Sequence, residues 1–231
     1  MSVAAMTSLP ASTEASAHCR ERILITGATG FLGQKIIGTL LETHPDARLV
    51  VLLREKKGQS VLERLHSIVD KACPPENRQE ALARFEIFPA DDISSDKCGL
   101  SPADYQAVVA GLTRIIHSAA TVRFDHTLEY ARKINVKGTQ NVLDIAEEAV
   151  KNGSLKSFTY IGTAFVAGER NGLVREDELD IGQSFRNTYE RTKCEAEKLV
   201  RSRMKVIPTV IARPSIIVGD SRTGETTSFK T

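Results

Sequence analysis

The chain has 231 residues, with 31 basic against 29 acidic side chains and a formal net charge of +2. That length supports one substantial core, and the near-balance of charge excludes a broad positive field for nucleic acid or an anionic membrane, so a small ligand is the expected partner. No stretch reaches the ~20 consecutive apolar residues of a membrane-spanning helix.

Residues 1–20 are rich in Ala, Ser and Thr and have neither an apolar signal core nor the arginines of a transit peptide, so they are expected to be a disordered tail. Residues 21–231 read as one domain. Ile23-Leu24-Ile25 is a short apolar run that passes through glycines into Phe31–Leu41, where apolar residues recur at helical spacing. Ala47–Leu53 contains the unbroken Leu49-Val50-Val51-Leu52-Leu53 core of a strand buried on both faces. Ser60–Ala72 and Ala103–Ala110 carry helical patterns, and Arg84–Pro89 and Thr113–His117 read as strands. Asn135–Val150 is an amphipathic helix, Ser157–Ile161 a strand after the Asn152-Gly153 turn, Thr188–Arg203 a helix and Thr209–Ala212 a strand. This alternation predicts an α/β fold with a doubly wound parallel sheet, Rossmann-like, and a ligand crevice at the carboxyl ends of its strands.

Thr26-Gly27-Ala28-Thr29-Gly30-Phe31-Leu32-Gly33 lies where the first strand turns into the first helix, the place where a dinucleotide pyrophosphate needs an approachable backbone and a helix N-terminus. Gly27 permits the turn, Gly30 removes a side chain that would block the phosphates, and Gly33 allows close helix packing. Arg54 follows the second strand, about twenty residues on, where an NAD-selective protein places an acidic residue against the ribose 2'-hydroxyl. A guanidinium there suits a 2'-phosphate, so NADP(H) is favoured over NAD(H), with Lys56 and Lys57 adding to the bias. The competing reading has Arg54 in a solvated basic turn and Glu55 on the ribose. Asp92 and Ile93 follow the third strand and are candidates for the adenine edge, or for ordinary loop roles.

Tyr189 and Lys193 are four residues apart on one helix face, where a cation beside a phenol favours the phenolate and makes the hydroxyl a usable acid and base. Thr163 closes the preceding strand and is a candidate hydrogen-bond partner for a substrate oxygen. His117 reads as a packing residue beside the ligand, and Cys194 as structural. Asn135 has two readings, as the holder of a water in a proton relay or as a helix cap. Cys19, Cys73, Cys98 and Cys194 form no C-x-x-C pair, which argues against a zinc site or disulfide framework and for a reducing, cytoplasmic setting with no metal.

From about Arg22 to Gly224 the sequence resembles the extended short-chain dehydrogenases/reductases. The family's T-G-x-x-G-x-x-G loop is matched at Thr26 to Gly33, its acidic adenine contact at Asp92, and the stretch lying along the cofactor at His117-Ser118-Ala119-Ala120. Asn135 to Thr139 matches its helix motif, Thr163, Tyr189 and Lys193 its catalytic set, and Arg213-Pro214-Ser215, running on to Ile216, the segment beside the nicotinamide. Within the family, His117-Ser-Ala-Ala-Thr-Val-Arg-Phe124, Gly99-Leu-Ser-x-x-Asp-Tyr105 and Phe185-Arg-Asn-Thr-Tyr189 look like the thioester reductase and fatty acyl-CoA reductase, or male-sterility-like, branch. The resemblance implies hydride transfer from NADPH to a thioester carbonyl, with Tyr189 protonating the oxygen, Thr163 orienting it, and Lys193 holding the nicotinamide ribose and lowering the phenol's pKa. Collapse of the hemithioacetal then releases a thiol and an aldehyde, which a second hydride carries to an alcohol. The acyl substrate is free or carrier-bound, and a homodimer is a further expectation. Extended members continue past the position of Thr231 into a substrate-binding region, so the acyl pocket is expected to be largely missing and activity of the chain alone is left open. The alternatives are a sugar-nucleotide epimerase or dehydratase, a hydroxysteroid-type dehydrogenase, and a non-catalytic dinucleotide sensor.

Overall fold

The computed structural model describes residues 21–56 and 58–221 together with Gly224 and Thr226; the tail expected at 1–20 and the Lys57 contribution fall outside the described residues. Six strands, β1 (Arg22–Thr26), β2 (Arg48–Leu53), β3 (Phe85–Pro89), β4 (Arg114–His117), β5 (Ser157–Ile161) and β6 (Thr209–Ala212), form one sheet in the order β3-β2-β1-β4-β5-β6. Every pairing is parallel, which is the doubly wound sheet that the alternation of elements predicts. The central strands are apolar at consecutive positions because both faces are covered. Ile23 and Ile25 pack with Leu49, Val51 and Ile37 on one side, whereas Leu24 packs with Val50, Ile115 and Val142 on the other.

Helices α1 (Phe31–Thr43) and α2 (Val61–Ala72) contribute to the first layer, and α4 (Pro102–Val109), α6 (Gly138–Lys151) and α7 (Thr188–Arg203) to the second; the five-residue α3 (Arg78–Leu82) and α5 (Leu128–Arg132) were not anticipated. Caps fix several boundaries. Ser60 stands outside α2 in a reciprocal capping box with Glu63, and the Asn187 side chain accepts the Glu190 amide at 2.9 Å to start α7.

The helix expected over 135–150 is built differently. α5 runs into a π-helical turn at Lys133–Lys137, and α6 begins only at Gly138. Asn135 therefore caps nothing: its Oδ1 accepts the Thr121 amide at 2.8 Å, and its Nδ2 donates to the Thr121 carbonyl at 3.2 Å and to Thr192 Oγ1 at 2.9 Å. The wide turn feeds the buried Asn135 amide between Thr121 and Thr192, and π-turns of this kind are frequent at functional sites.

Strand order reverses at β1, whose neighbours are β2 and β4, and this opens a crevice between the loops that follow β1 and β4. The register aligns Thr26 with His117, His117 with Tyr160, and Tyr160 with Ile211, so the ends of four strands stand side by side at the carboxyl edge.

Candidate active site

The loop after β1 is a closely fitted backbone cradle. Gly27 has φ of +75°, and a Cβ there would meet the Ala119 amide nitrogen at 2.8 Å. A Cβ on Gly33 would stand 2.2 Å from the Gly27 carbonyl oxygen, so the first turn of α1 rests on the loop itself, and this contact is what demands glycine. Thr29 and Gly30 are exposed. Gly30 is the N-cap of α1 with no side-chain cap, and the first turn through Phe31, Leu32 and Gly33 holds no acidic residue, which leaves amide donors and the positive helix end for an anion.

One buried network fixes this cradle to β4. Thr139 Oγ1 donates to the Asn135 carbonyl at 2.6 Å, which leaves it to accept from His117 Nε2 at 2.9 Å. His117 Nδ1 is then the acceptor for Thr26 Oγ1 at 2.7 Å, and Thr26 Oγ1 in turn accepts the amides of Ser118 and Ala119, both at 3.2 Å. Burial, and secondarily the charge of Lys193, pushes the His117 pKa down to about 3, so the ring is neutral as this arrangement requires. His117 is thus a structural link and not a general base, and Ala120 continues the same half-buried loop.

Beyond β2 and β3 lies a cavity of about 420 Å³ lined by Leu53, Arg54, Glu55, Val61, Pro89, Ala90 and Asp91. Arg64 of α2 donates to the Arg54 carbonyl and lies close enough for the two guanidinium charges to repel, so two cations share this corner. Arg64 escaped the sequence reading because a lone arginine on a helix gives no signal; its place ten residues after Arg54, one turn into α2, was the available clue. Asp92 is committed locally. Its Oδ1 accepts from the Ser94 amide at 2.9 Å and hydroxyl at 2.7 Å, and its Oδ2 pairs with Lys133 at 3.0 Å. Ile93 packs its side chain against Gly138.

At the other end of the crevice, Thr163 follows β5, is buried, and accepts the Phe165 amide at 3.2 Å. Tyr189 and Lys193 project from α7 beside it. Burial raises the Tyr189 pKa, with a hydrogen bond from Thr163 opposing it. The phenol is therefore protonated at neutral pH, contrary to the lowered value expected from the neighbouring ammonium. The reason is geometric: Lys193 Nζ donates to the Ile161 carbonyl at 2.8 Å and lies 4.4 Å from the centre of the Tyr160 ring. Burial pushes Lys193 itself down to about 7, with Glu197 opposing. Exposed Phe124 places its ring 5.8 Å from that of Tyr189, next to exposed Val122. The Pro214 carbonyl accepts the Ala164 amide at 2.9 Å, and Ser215 and Ile216 are exposed beyond β6. Among the described residues no group of His, Cys, Asp and Glu is arranged to hold a metal ion, the described cysteines Cys73, Cys98 and Cys194 are free, and no helix is long and apolar enough to cross a membrane.

Residues 25–231 match the family model described as male sterility protein. Among curated proteins the chain is 36% identical over 229 residues to fatty acyl-CoA reductase 2 of Bos taurus, covering 84% of this chain and 43% of the relative. It is 30% identical over 224 residues to fatty acyl-CoA reductase wat of Drosophila melanogaster, covering 85% and 43% respectively. Among solved structures, the terminal R domain from the myxalamid PKS-NRPS biosynthetic pathway superposes with a TM-score of 0.78 at 31% identity, covering 92% of this chain and 53% of that one. The chain thus spans less than half the length of these two curated relatives.

Proposed function

The chain belongs to the male sterility protein family, within the fatty acyl-CoA reductase branch of the extended short-chain dehydrogenases/reductases, and on that premise we propose that it carries the cofactor-binding and proton-donating half of an NADPH-dependent acyl thioester reductase. The observation that carries this reading is the pairing of the Tyr189 side chain with Thr163 at the end of β5, in the same parallel sheet whose β1 loop is a glycine cradle with a helix end open to an anion. Relatives named as fatty acyl-CoA reductases, and a structural neighbour named as an R domain, support the thioester as substrate.

The residues fit the dinucleotide in three places. The uncapped start of α1 suits the pyrophosphate, the Arg54/Arg64 corner suits a 2'-phosphate better than a bare ribose, and Lys193 stands next to the reacting end. When bound, the cofactor supplies the hydride. Tyr189 donates its proton to the carbonyl oxygen, and Thr163 holds the phenol in line through their shared hydrogen bond. Lys193 would supply positive charge to this centre and a donor for a ribose hydroxyl of the bound cofactor. Val122 and Phe124 offer an apolar flank to an acyl group. The loss of a thiol from the tetrahedral adduct yields an aldehyde. The free thiols of the described residues fit a reducing compartment, proposed as the cytoplasm.

The test is to incubate the chain with NADPH or NADH and acyl thioesters of increasing chain length, measuring free thiol and aldehyde. Thiol release with NADPH at a rate well above that with NADH is expected. Binding without any carbonyl reduction across the panel, both by this chain and by a longer protein that carries the substrate-binding region, would reject the enzymatic reading in favour of a dinucleotide sensor, and a clear preference for NADH would favour an epimerase-like relative.

A further inference from the structure

Glu197 is fully buried on α7, one turn beyond Lys193, and the proposed reaction makes no use of it. Its Oε1 accepts from Arg201 Nε at 2.9 Å and from Arg213 Nη2 at 2.6 Å, and Arg213 Nε reaches both oxygens, at 3.2 and 3.0 Å. Arg213 also donates to the Glu178 carbonyl at 2.9 Å. The carboxylate lies against the end of β5, since a Cβ on Gly162 would meet Glu197 Oε2 at 3.3 Å and the Ala212 carbonyl at 3.2 Å. Gly162 also donates its amide to the Ala212 carbonyl at 2.7 Å, immediately before Thr163. A buried carboxylate thus joins the helix bearing Tyr189 and Lys193 to the strand ends that carry Thr163 and Pro214.

We propose that Glu197 is a positioning residue for this centre: through its paired contact with Arg213 it sets the spacing between α7 and the ends of β5 and β6, and keeps a carboxylate one turn along α7 from Lys193. The inference rests on the reductase reading for its catalytic consequence, on the paired contact with Arg213 for the positioning, and on the charge of Glu197, which favours the ammonium, for the effect on Lys193. Lys193 is faced by Tyr160 and the Ile161 carbonyl from β5, by neutral His117 from β4, and by the charge of Glu197 from its own helix, with Arg213 on both oxygens of Glu197 and Arg201 on one. Glu197 is the carboxylate in that ring that favours the ammonium, and Arg213 moderates its field.

Two substitutions break the same ion pair and shift Lys193 in opposite directions. Glu197→Gln removes the favourable charge, whereas Arg213→Met leaves the carboxylate less compensated. In the full chain carrying isotope-labelled lysine, with Lys193 assigned from Lys193→Arg, NMR titration of the ammonium is expected near pH 7. It should move down by on the order of one pH unit in Glu197→Gln and up in Arg213→Met, with Glu197→Asp restoring most of the difference. Both variants should also lose stability, which a purely structural role would equally produce. Unchanged titration in both, or movement in the same direction, overturns the proposal. Failure of Glu197→Gln to fold leaves the decision to the direction seen in Arg213→Met. The alkaline limb of thiol release should follow the NMR values. Opposite shifts without any reductase activity would uphold the positioning role and reject the reductase reading, whereas activity with unmoved titrations would do the reverse.

Discussion

The glycine cradle makes a prediction that separates folding from binding. In Gly33→Ala the new methyl carbon would sit 2.2 Å from the Gly27 carbonyl oxygen and 3.0 Å from Ala28 Cα. Both are backbone atoms, so relief requires the loop or the helix to move, and overpacking of this kind costs about 1–3 kcal/mol or more. For a domain of this size each kcal/mol lowers Tm by about 2–4 °C, so a fall of roughly 6–12 °C is expected at the upper end of that cost. Gly30→Ala differs in kind. Its backbone angles, φ −77° and ψ 164°, suit any residue, and its Cβ would meet one atom, the Gly27 carbonyl oxygen at 3.2 Å. The stiffer unfolded chain returns about 0.4–1 kcal/mol, so Tm should stay within about 4 °C of the parent. The same methyl faces the open helix end where the pyrophosphate would rest, so NADPH affinity should fall about tenfold or more, equivalent to ~1.4 kcal/mol. Thermal unfolding and calorimetric titration with NADPH measure the two effects. Unaltered NADPH binding by Gly30→Ala, or full stability of Gly33→Ala, would refute the division of roles.

Four further outcomes follow from the geometry. Arg54→Ala and Arg64→Ala should each weaken NADPH by about ten- to a hundredfold while leaving NADH nearly unaffected, as lost charge-assisted bonds worth about 1.5–3 kcal/mol imply, and paired binding isotherms check this. Thr26→Val strands the Ser118 and Ala119 amides and His117 Nδ1 in a buried site, so chemical denaturation should show a loss of about 2 kcal/mol or more. Lys193 has a folded pKa of about 7 against 10.5 unfolded, so the unfolded chain binds more protons between those values. Stability should therefore rise with pH across that window, and the rise should be smaller in Lys193→Met, as denaturant midpoints at pH 6 to 10 would reveal. Phe124→Ala, at a side chain 59% exposed, should raise KM for long acyl thioesters with little change in Tm, and a chain-length series of initial rates tests it.

The sheet was legible because its strands are written as unbroken apolar runs, as in Leu49 to Leu53, alternating with segments of helical period. The segment from Leu128 to Lys137 was not, since five-residue α5 is too short to develop a period and a π-turn breaks the spacing that periodic reading relies on. The candidate site divides similarly. Local motifs singled out the glycine loop, which the structure forms as a tight backbone cradle, and proposed Thr163, Tyr189 and Lys193, which it places at the end of β5 and on α7. The sign of the Tyr189 shift was misread because spacing along a helix does not report burial, nor that Lys193 is committed to Ile161 and Tyr160. Arg64 and Glu197 were missed for a related reason. Each is an unremarkable charge on an amphipathic helix until the fold sets it beside a residue distant in sequence, as with Glu197 and Arg213.

The most direct test is a single-turnover comparison of the parent chain with Tyr189→Phe, using saturating NADPH and a long-chain acyl thioester and following thiol release. The account predicts that the variant binds NADPH as tightly as the parent and releases thiol at least a hundredfold more slowly, in keeping with the ~10²–10⁴ contributed by a positioned acid. Equal rates in the two proteins would contradict it.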